Sequence, residues 1–176
     1  MAELIALMGP TGAGKSVQGD LLADDLSGVH LSSGNLLRED PHVAAMLADG
    51  RLAPAGEVEA IVGKAVDAVP LETPIILHGF PRTMSNVRWL DEELPLHHRT
   101  LRAVVLIELD PETILKRLGL RGRADDAPEA VQEKWDLYHT KTRPVIEHYD
   151  KMGLVRRVDG RGTIEEVRAL VRAAIS

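Results

Sequence analysis

Apolar positions along the chain fall into two kinds of run. Residues 3–8, 29–31, 74–78, 103–109 and 154–158 are short stretches dominated by aliphatic side chains. The continuous runs at 74–78 and 103–109 are of the kind seen when helices cover both faces of a parallel sheet. Between the five stretches the apolar positions recur at three and four residues. Val17, Leu21, Leu22 and Leu26 predict a helix directly after the first strand. A helix is predicted over about 35–47, the glycine-bounded stretch 50–56 breaks it, and another runs over 57–69. From Val131 onward, positions 131, 135, 138, 142, 145 and 149 alternate steps of four and three, which predicts one long amphipathic helix bent near Pro144. Residues 164–175 supply a closing helix.

Strands that alternate with helices give an α/β fold around a five-stranded parallel sheet, with ligands at the carboxyl ends of the strands. The 176 residues suit one domain with small insertions. A hydrophobic share of 44% with 27% charged residues is that of a globular protein, and no apolar run is long enough to span a bilayer. The net charge of −6 speaks against a nucleic-acid binder, so an anionic ligand must be met by a local cluster of cations. There is no cysteine, hence no disulfide framework and no thiol nucleophile, which agrees with a cytoplasmic setting. Residues 1–8 lack a basic leader and a cleavage site, so they read as a strand and not as a signal peptide.

The strongest chemical signal is Gly9-Pro10-Thr11-Gly12-Ala13-Gly14-Lys15-Ser16, which fits G-x-x-x-x-G-K-S/T between a strand and a helix. In such a loop the glycines let backbone N–H groups turn inward around phosphate oxygens, and the helix N-terminus adds partial positive charge. Lys15 neutralises the outer phosphates, and Ser16 is placed to reach a Mg²⁺ ion.

Beyond that loop, His30-Leu-Ser-Ser-Gly-Asn-Leu-Leu-Arg38, Gly79-Phe-Pro-Arg82 and Arg123-Ala-Asp-Asp126 ahead of the long helix complete a pattern. Together these segments resemble the adenylate kinase family, in its short-lid form, and are also similar to UMP/CMP kinases. The resemblance covers nearly the whole chain. It implies a P-loop NTPase fold, an acceptor-binding helical insertion at 32–62 and a short lid at 118–128. It also implies ATP with Mg²⁺ as donor, a nucleoside monophosphate, AMP first, as acceptor, and a monomer. By similarity, Gly9, Thr11, Gly12, Ala13, Gly14, Lys15 and Ser16 hold ATP, while Arg117, Arg121, Arg123 and Lys134 line the ATP side and the lid. Ser33, Arg38, Arg51, Ala53, Gly79, Arg82 and Asn86 face the acceptor, Arg82 gripping its phosphate and Asn86 its base. Lys15, Arg82, Arg123 and Lys134 are thereby the catalytic set. A charge argument supports the mapping, because two nucleotides bring about six negative charges together and interleaved cations must offset them.

The pattern also departs from the family. Ser16 and Val17 stand where the family has Gly and Thr, and Lys134 replaces an arginine fork by a point charge. His78 occupies the position of an aspartate ahead of Gly-Phe-Pro-Arg, and an imidazole is a poor ligand for a hard oxygen-seeking cation. His30 and His78 each end an apolar strand, where a structural and a catalytic role both stand open, and neither is assigned proton transfer. Trp135, Tyr138 and Tyr149 lie on the apolar stripe of the long helix and belong to the core. Asp125 and Asp126 suit both a lid and a helix start. Transfer needs positioning and charge neutralisation more than a general base, so none is assigned. The readings left open are AMP, UMP/CMP or a specialised small metabolite as acceptor, and a nucleotide-binding regulator with little transfer.

Overall fold

Five strands, β1 (Ala2–Met8), β2 (Val29–Ser32), β3 (Ile75–His78), β4 (Arg99–Glu108) and β5 (Val155–Asp159), form one sheet in the order β2-β3-β1-β4-β5. Every pairing is parallel. The computed structural model describes residues 2–48, 53–121 and 128–176. The helices are α1 (Lys15–Leu26), α2 (Ser33–Glu39), α3 (Pro41–Ala48), α4 (Ala55–Asp67), α5 (Met84–Leu96), α6 (Pro111–Arg121), α7 (Pro128–Leu137), α8 (Arg143–Lys151) and α9 (Ile164–Ala174).

Alternation along β1 explains why the strand is apolar throughout. Leu4, Ala6 and Met8 pack on one face against Val62 and Val66 of α4, Val87, Leu90 and Leu94 of α5, and Val145, Ile146 and Tyr149 of α8. Ile5 and Leu7 point the other way, toward Leu22 and Ala23 of α1 and Val167 and Val171 of α9. A third, smaller cluster joins Ile114 and Leu118 of α6 to Val131 of α7, with Trp135 against it. The second face is pinned at its rim by a half-buried carboxylate: Asp25 of α1 accepts from Arg168 Nη2 at 2.8 Å and Nε at 3.2 Å, which holds its carboxyl below the usual range. Arg99, at the start of β4, is buried and donates to the carbonyls of Val69, Pro70 and Thr73, capping the link between α4 and β3.

The structure refines the element boundaries in three places. The helix predicted over 35–47 is two helices, because Pro41 holds Asp40 in an extended conformation (φ −80°, ψ 117°) between α2 and α3. The helix predicted to bend near Pro144 runs as α7, a π-helical stretch Tyr138–Thr142, and α8 with the proline in its first turn. Proline removes a backbone donor and crowds the carbonyl four residues back, so the ladder widens just before it. On α1 the buried face is Gln18, Gly19, Leu22 and Ala23, and Val17 is exposed. Gln18 replaces an apolar residue there by donating to Ile164 O at 3.0 Å. Tyr149 is fully buried as expected, whereas Trp135 and Tyr138 are only partly so. Among the described residues no helix is long and apolar enough to cross a membrane.

The core assignment makes a paired stability prediction on α5. Leu90→Ala removes a side chain that is 1% exposed and is expected to cost about 2–5 kcal/mol, whereas Leu96→Ala, at 71% exposed, is expected to stay within about 0.5 kcal/mol. Chemical denaturation of the two variants checks this.

Candidate phosphate and nucleotide site

The register of the sheet brings the ends of its three adjacent strands to one level: Leu7 of β1 and Ser32 of β2 both pair with His78 of β3. The loop after β1 is the glycine loop. Gly14 is the N-cap of α1 in a left-handed conformation (φ 87°, ψ 13°), which a side chain would oppose, and no side chain caps the helix. Gly14 thus offers the α1 start no side-chain acceptor, and a helix start after a glycine loop is the kind of place where anions bind. Lys15 folds back over the loop, donating from Nζ to Gly9 O at 2.9 Å and Pro10 O at 2.7 Å. Thr11 and Gly12 are partly buried, Ala13 sits in the core, and Ser16 is exposed at the helix start.

Beside it, Ser32 caps α2 by accepting from the Asn35 N–H at 3.3 Å, and Ser33 is buried next to Gly79. Arg38 is exposed on α2 and donates to Asn35 Oδ1 at 2.6 Å. After β3 the chain turns through Gly79, and Arg82 Nε donates to the Gly79 carbonyl at 2.6 Å. Thr142, in the π-helical stretch, donates to the Arg82 carbonyl at 3.3 Å, which ties the junction of α7 and α8 to this turn. Lys15, Ser16, Ser33, Gly79 and Arg82 are thus gathered on three neighbouring strand ends.

Other expected site residues lie further out. Asn86 is buried, accepts from the Arg82 N–H at 3.3 Å and donates from Nδ2 to Glu59 Oε1 at 2.9 Å, so its amide joins α5 to α4 in this conformation. Arg117 donates to Gly160 O at 2.7 Å, linking α6 to the loop between β5 and α9. Lys134 is half-buried on α7, and Ala53 is half-buried ahead of α4. Arg121 ends α6, but its side chain lies outside what is described. Arg51 and Arg123, together with Asp125 and Asp126, lie outside the described residues, as does most of the lid expected at 118–128.

One arrangement was not anticipated from the sequence. His30 Nδ1 lies 2.7 Å from Asp20 Oδ1, and His30 Nε2 lies 2.6 Å from His78 Nδ1, with the two rings stacked at 4.8 Å. His78 Nε2 in turn lies 3.4 Å from Ser16 Oγ and 3.3 Å from Ser32 Oγ. Assigning protons outward from the carboxylate, His30 Nδ1–H donates to Asp20 and His78 Nδ1–H donates to His30. The lone pair of His78 Nε2 then faces the two hydroxyls. Gly19 makes this possible, since a Cβ there would collide with His30 Nε2. Burial, then repulsion from His30 once that ring is itself protonated and from the cations Lys15 and Arg82, pushes His78 down to about 3, so its ring is neutral near pH 7. The sequence offered His30 and His78 singly. Their pairing through Gly19-Asp20 is a tertiary contact between α1, β2 and β3.

The cation expected to accompany the nucleotide finds a mixed reception. The Ser16 hydroxyl is a hard oxygen donor and suits Mg²⁺, whereas the His78 nitrogen does not. The Asp20 carboxylate is committed to His30. Among the described residues no three His, Cys, Asp or Glu side chains form a metal cluster.

A parallel sheet in this order, with a glycine loop leading from its central strand into a helix, is the architecture of a P-loop nucleotide-binding protein. Within that class the chain belongs to the adenylate kinase family: the family's sequence model, "Adenylate kinase", matches residues 7–154. An adenylate kinase of Thermus thermophilus is 36% identical over 190 residues, covering 99% of this chain and 98% of its own. An adenylate kinase of Prochlorococcus marinus is 33% identical over 183 residues with the same coverage, and one of Micrococcus luteus is 34% identical over 96% of this chain and 88% of its own. The protein is accordingly a phosphotransferase.

The depressed His78 makes stability depend on pH. The unfolded ring takes its proton near 6.5 and the folded ring only near 3, so stability is full above about 6.5 and is lost as pH falls through that window. Between pH 7 and 5 the loss from this group is about 2 kcal/mol. Urea unfolding at both pH values is expected to show it, and His78→Gln to flatten the difference.

Proposed function

We propose that this protein transfers the γ-phosphoryl group of ATP to AMP, forming two ADP. The observation that carries the reading is the adjacency of two anion-receptive turns: the glycine loop after β1 and the Gly79–Arg82 turn after β3, joined through His78 and Ser16. Donor phosphates on the first turn and an acceptor phosphate on the second would meet at one edge of the sheet.

In this reading the backbone N–H groups of Gly9, Thr11, Gly12, Ala13 and Gly14 cradle the donor phosphates, with Lys15 balancing their charge and Ser16 beside them. Lys15 and Arg82 presently hold loop carbonyls, and each would exchange that partner for a phosphate oxygen when substrate arrives. Arg82 fixes the acceptor phosphate, and Ser33, Arg38, Arg51, Ala53, Gly79 and Asn86 line the acceptor within the insertion at 32–62. Arg117 and Arg121 serve the donor side, and Arg123 and Lys134 act across the lid at 118–128. Closure over both nucleotides excludes water and so prevents wasteful hydrolysis. No side chain is required as a general base, because a loose in-line transition state is served by alignment and charge. A divalent cation accompanies the nucleotide. The protein works as a cytoplasmic monomer, without nucleic acid or membrane.

A coupled assay of ADP formation with ATP and, separately, AMP, UMP, CMP, GMP and no acceptor tests the reading. Strong AMP-dependent turnover is expected; preference for UMP or CMP would make Asn86 the determinant of a pyrimidine acceptor. ATP binding with no product from any acceptor would replace the enzyme by a nucleotide-binding regulator. Arg82→Ala is expected to lower kcat/KM about 10²–10³-fold, since one cation facing the transferred charge is removed.

A further inference from the structure

The chain Asp20–His30–His78 ends on a nitrogen lone pair beside the P-loop serine. Its construction is that of a metal ligand's support. Imidazoles that bind metals donate their other ring N–H to a carboxylate or an equivalent acceptor, which fixes the tautomer and raises ligand basicity. Here His78 Nδ1 lies 2.6 Å from His30 Nε2 and His30 Nδ1 2.7 Å from Asp20 Oδ1, so with both rings neutral and the protons set outward from the carboxylate, the carboxylate acts through two rings. His78 Nε2 and Ser16 Oγ are 3.4 Å apart, and His78 Nε2 and Ser32 Oγ 3.3 Å. Donors at that spacing can occupy neighbouring corners of a coordination shell with bonds of about 2.1–2.2 Å. They lie at the start of α1, at the mouth of the glycine loop.

We propose that His78 Nε2 and Ser16 Oγ are a nitrogen-and-oxygen ligand pair for a divalent transition ion whose remaining positions are filled by nucleotide phosphates and water, so that the site favours Mn²⁺ or Co²⁺ over Mg²⁺. Imidazole nitrogen adds affinity along the first transition series, whereas Mg²⁺ takes oxygen donors in near-ideal octahedra. The described residues form no cluster of three metal-binding side chains, so in this proposal the nucleotide phosphates complete the shell. Nucleotide and metal therefore enter together. The inference rests on reading the glycine loop as the ATP phosphate site, and it adds the identity of the cation and its nitrogen ligand.

Pulsed electron paramagnetic resonance of Mn²⁺ with ATP and uniformly ¹⁵N-labelled protein tests it on the unaltered chain. The label separates a protein nitrogen from those of adenine. A ¹⁵N coupling is expected in the ternary complex, and no bound Mn²⁺ signal without ATP. In calorimetric titrations, Asp20→Asn, whose carboxylate is largely exposed, is expected to weaken Mn²⁺·ATP binding about tenfold while leaving metal-free ATP binding unchanged. His78→Asp is expected to abolish the coupling and return the preference to Mg²⁺. Metal-free ATP binding with no ¹⁵N coupling in the wild-type ternary complex would overturn this inference and leave the phosphate site intact. Absence of ATP binding with or without metal would overturn the phosphate-site reading and this one with it.

Discussion

The constraint on which this structure depends is the parallel alignment of β1, β2 and β3, with the carboxyl ends of all three at one level. Parallel strands require crossovers, the crossovers carry helices, and every segment that follows a strand emerges at the same edge. The glycine loop, the caps of α2 and the Gly79–Arg82 turn are neighbours for that reason alone. Charge balance then follows. The proposed site for several phosphates would need mobile cations over fixed dipoles; Lys15 and Arg82 are held on loop carbonyls beside the dipole of the α1 helix start.

The remainder of the molecule keeps that edge rigid. Each central strand is apolar on both faces because α4, α5 and α8 cover one side and α1 and α9 the other. The π-helical stretch ahead of α8 carries Thr142 onto the Arg82 carbonyl, so the sheet-covering helix also braces the Gly79–Arg82 turn. Asn86 makes the same kind of connection from α5 to α4 through Glu59 while accepting from the Arg82 N–H. Packing and site geometry are therefore coupled through a few hydrogen bonds at helix starts.

Most of the fold was legible from local sequence. Aliphatic runs marked the three central strands, and shorter stretches at 29–31 and 154–158 the two outer ones. Boundaries failed where a single residue acts on its neighbour's backbone: Pro41 splitting α2 from α3, and Pro144 widening the ladder before α8. On α1 the apolar pattern chose Val17 for the core, and the structure buries Gln18, whose Nε2 finds a tertiary partner in Ile164 O. The candidate site was legible where it is written as contiguous motif, at 9–16 and 79–82, two segments that the structure brings to neighbouring strand ends. The Asp20–His30–His78 chain was not, because it joins residues from three elements, and its enabling residue, Gly19, matters only through the close approach of a histidine.

The account is tested most directly by the fate of the γ-phosphorus. With ATP labelled at the γ-phosphate, unlabelled AMP and a divalent cation, the label is predicted to appear at the β-phosphate of newly formed ADP, with one ADP from each nucleotide and little inorganic phosphate. Label released mainly as inorganic phosphate, or retained in ATP while both nucleotides are bound, would contradict a site built to align two phosphate chains and exclude water.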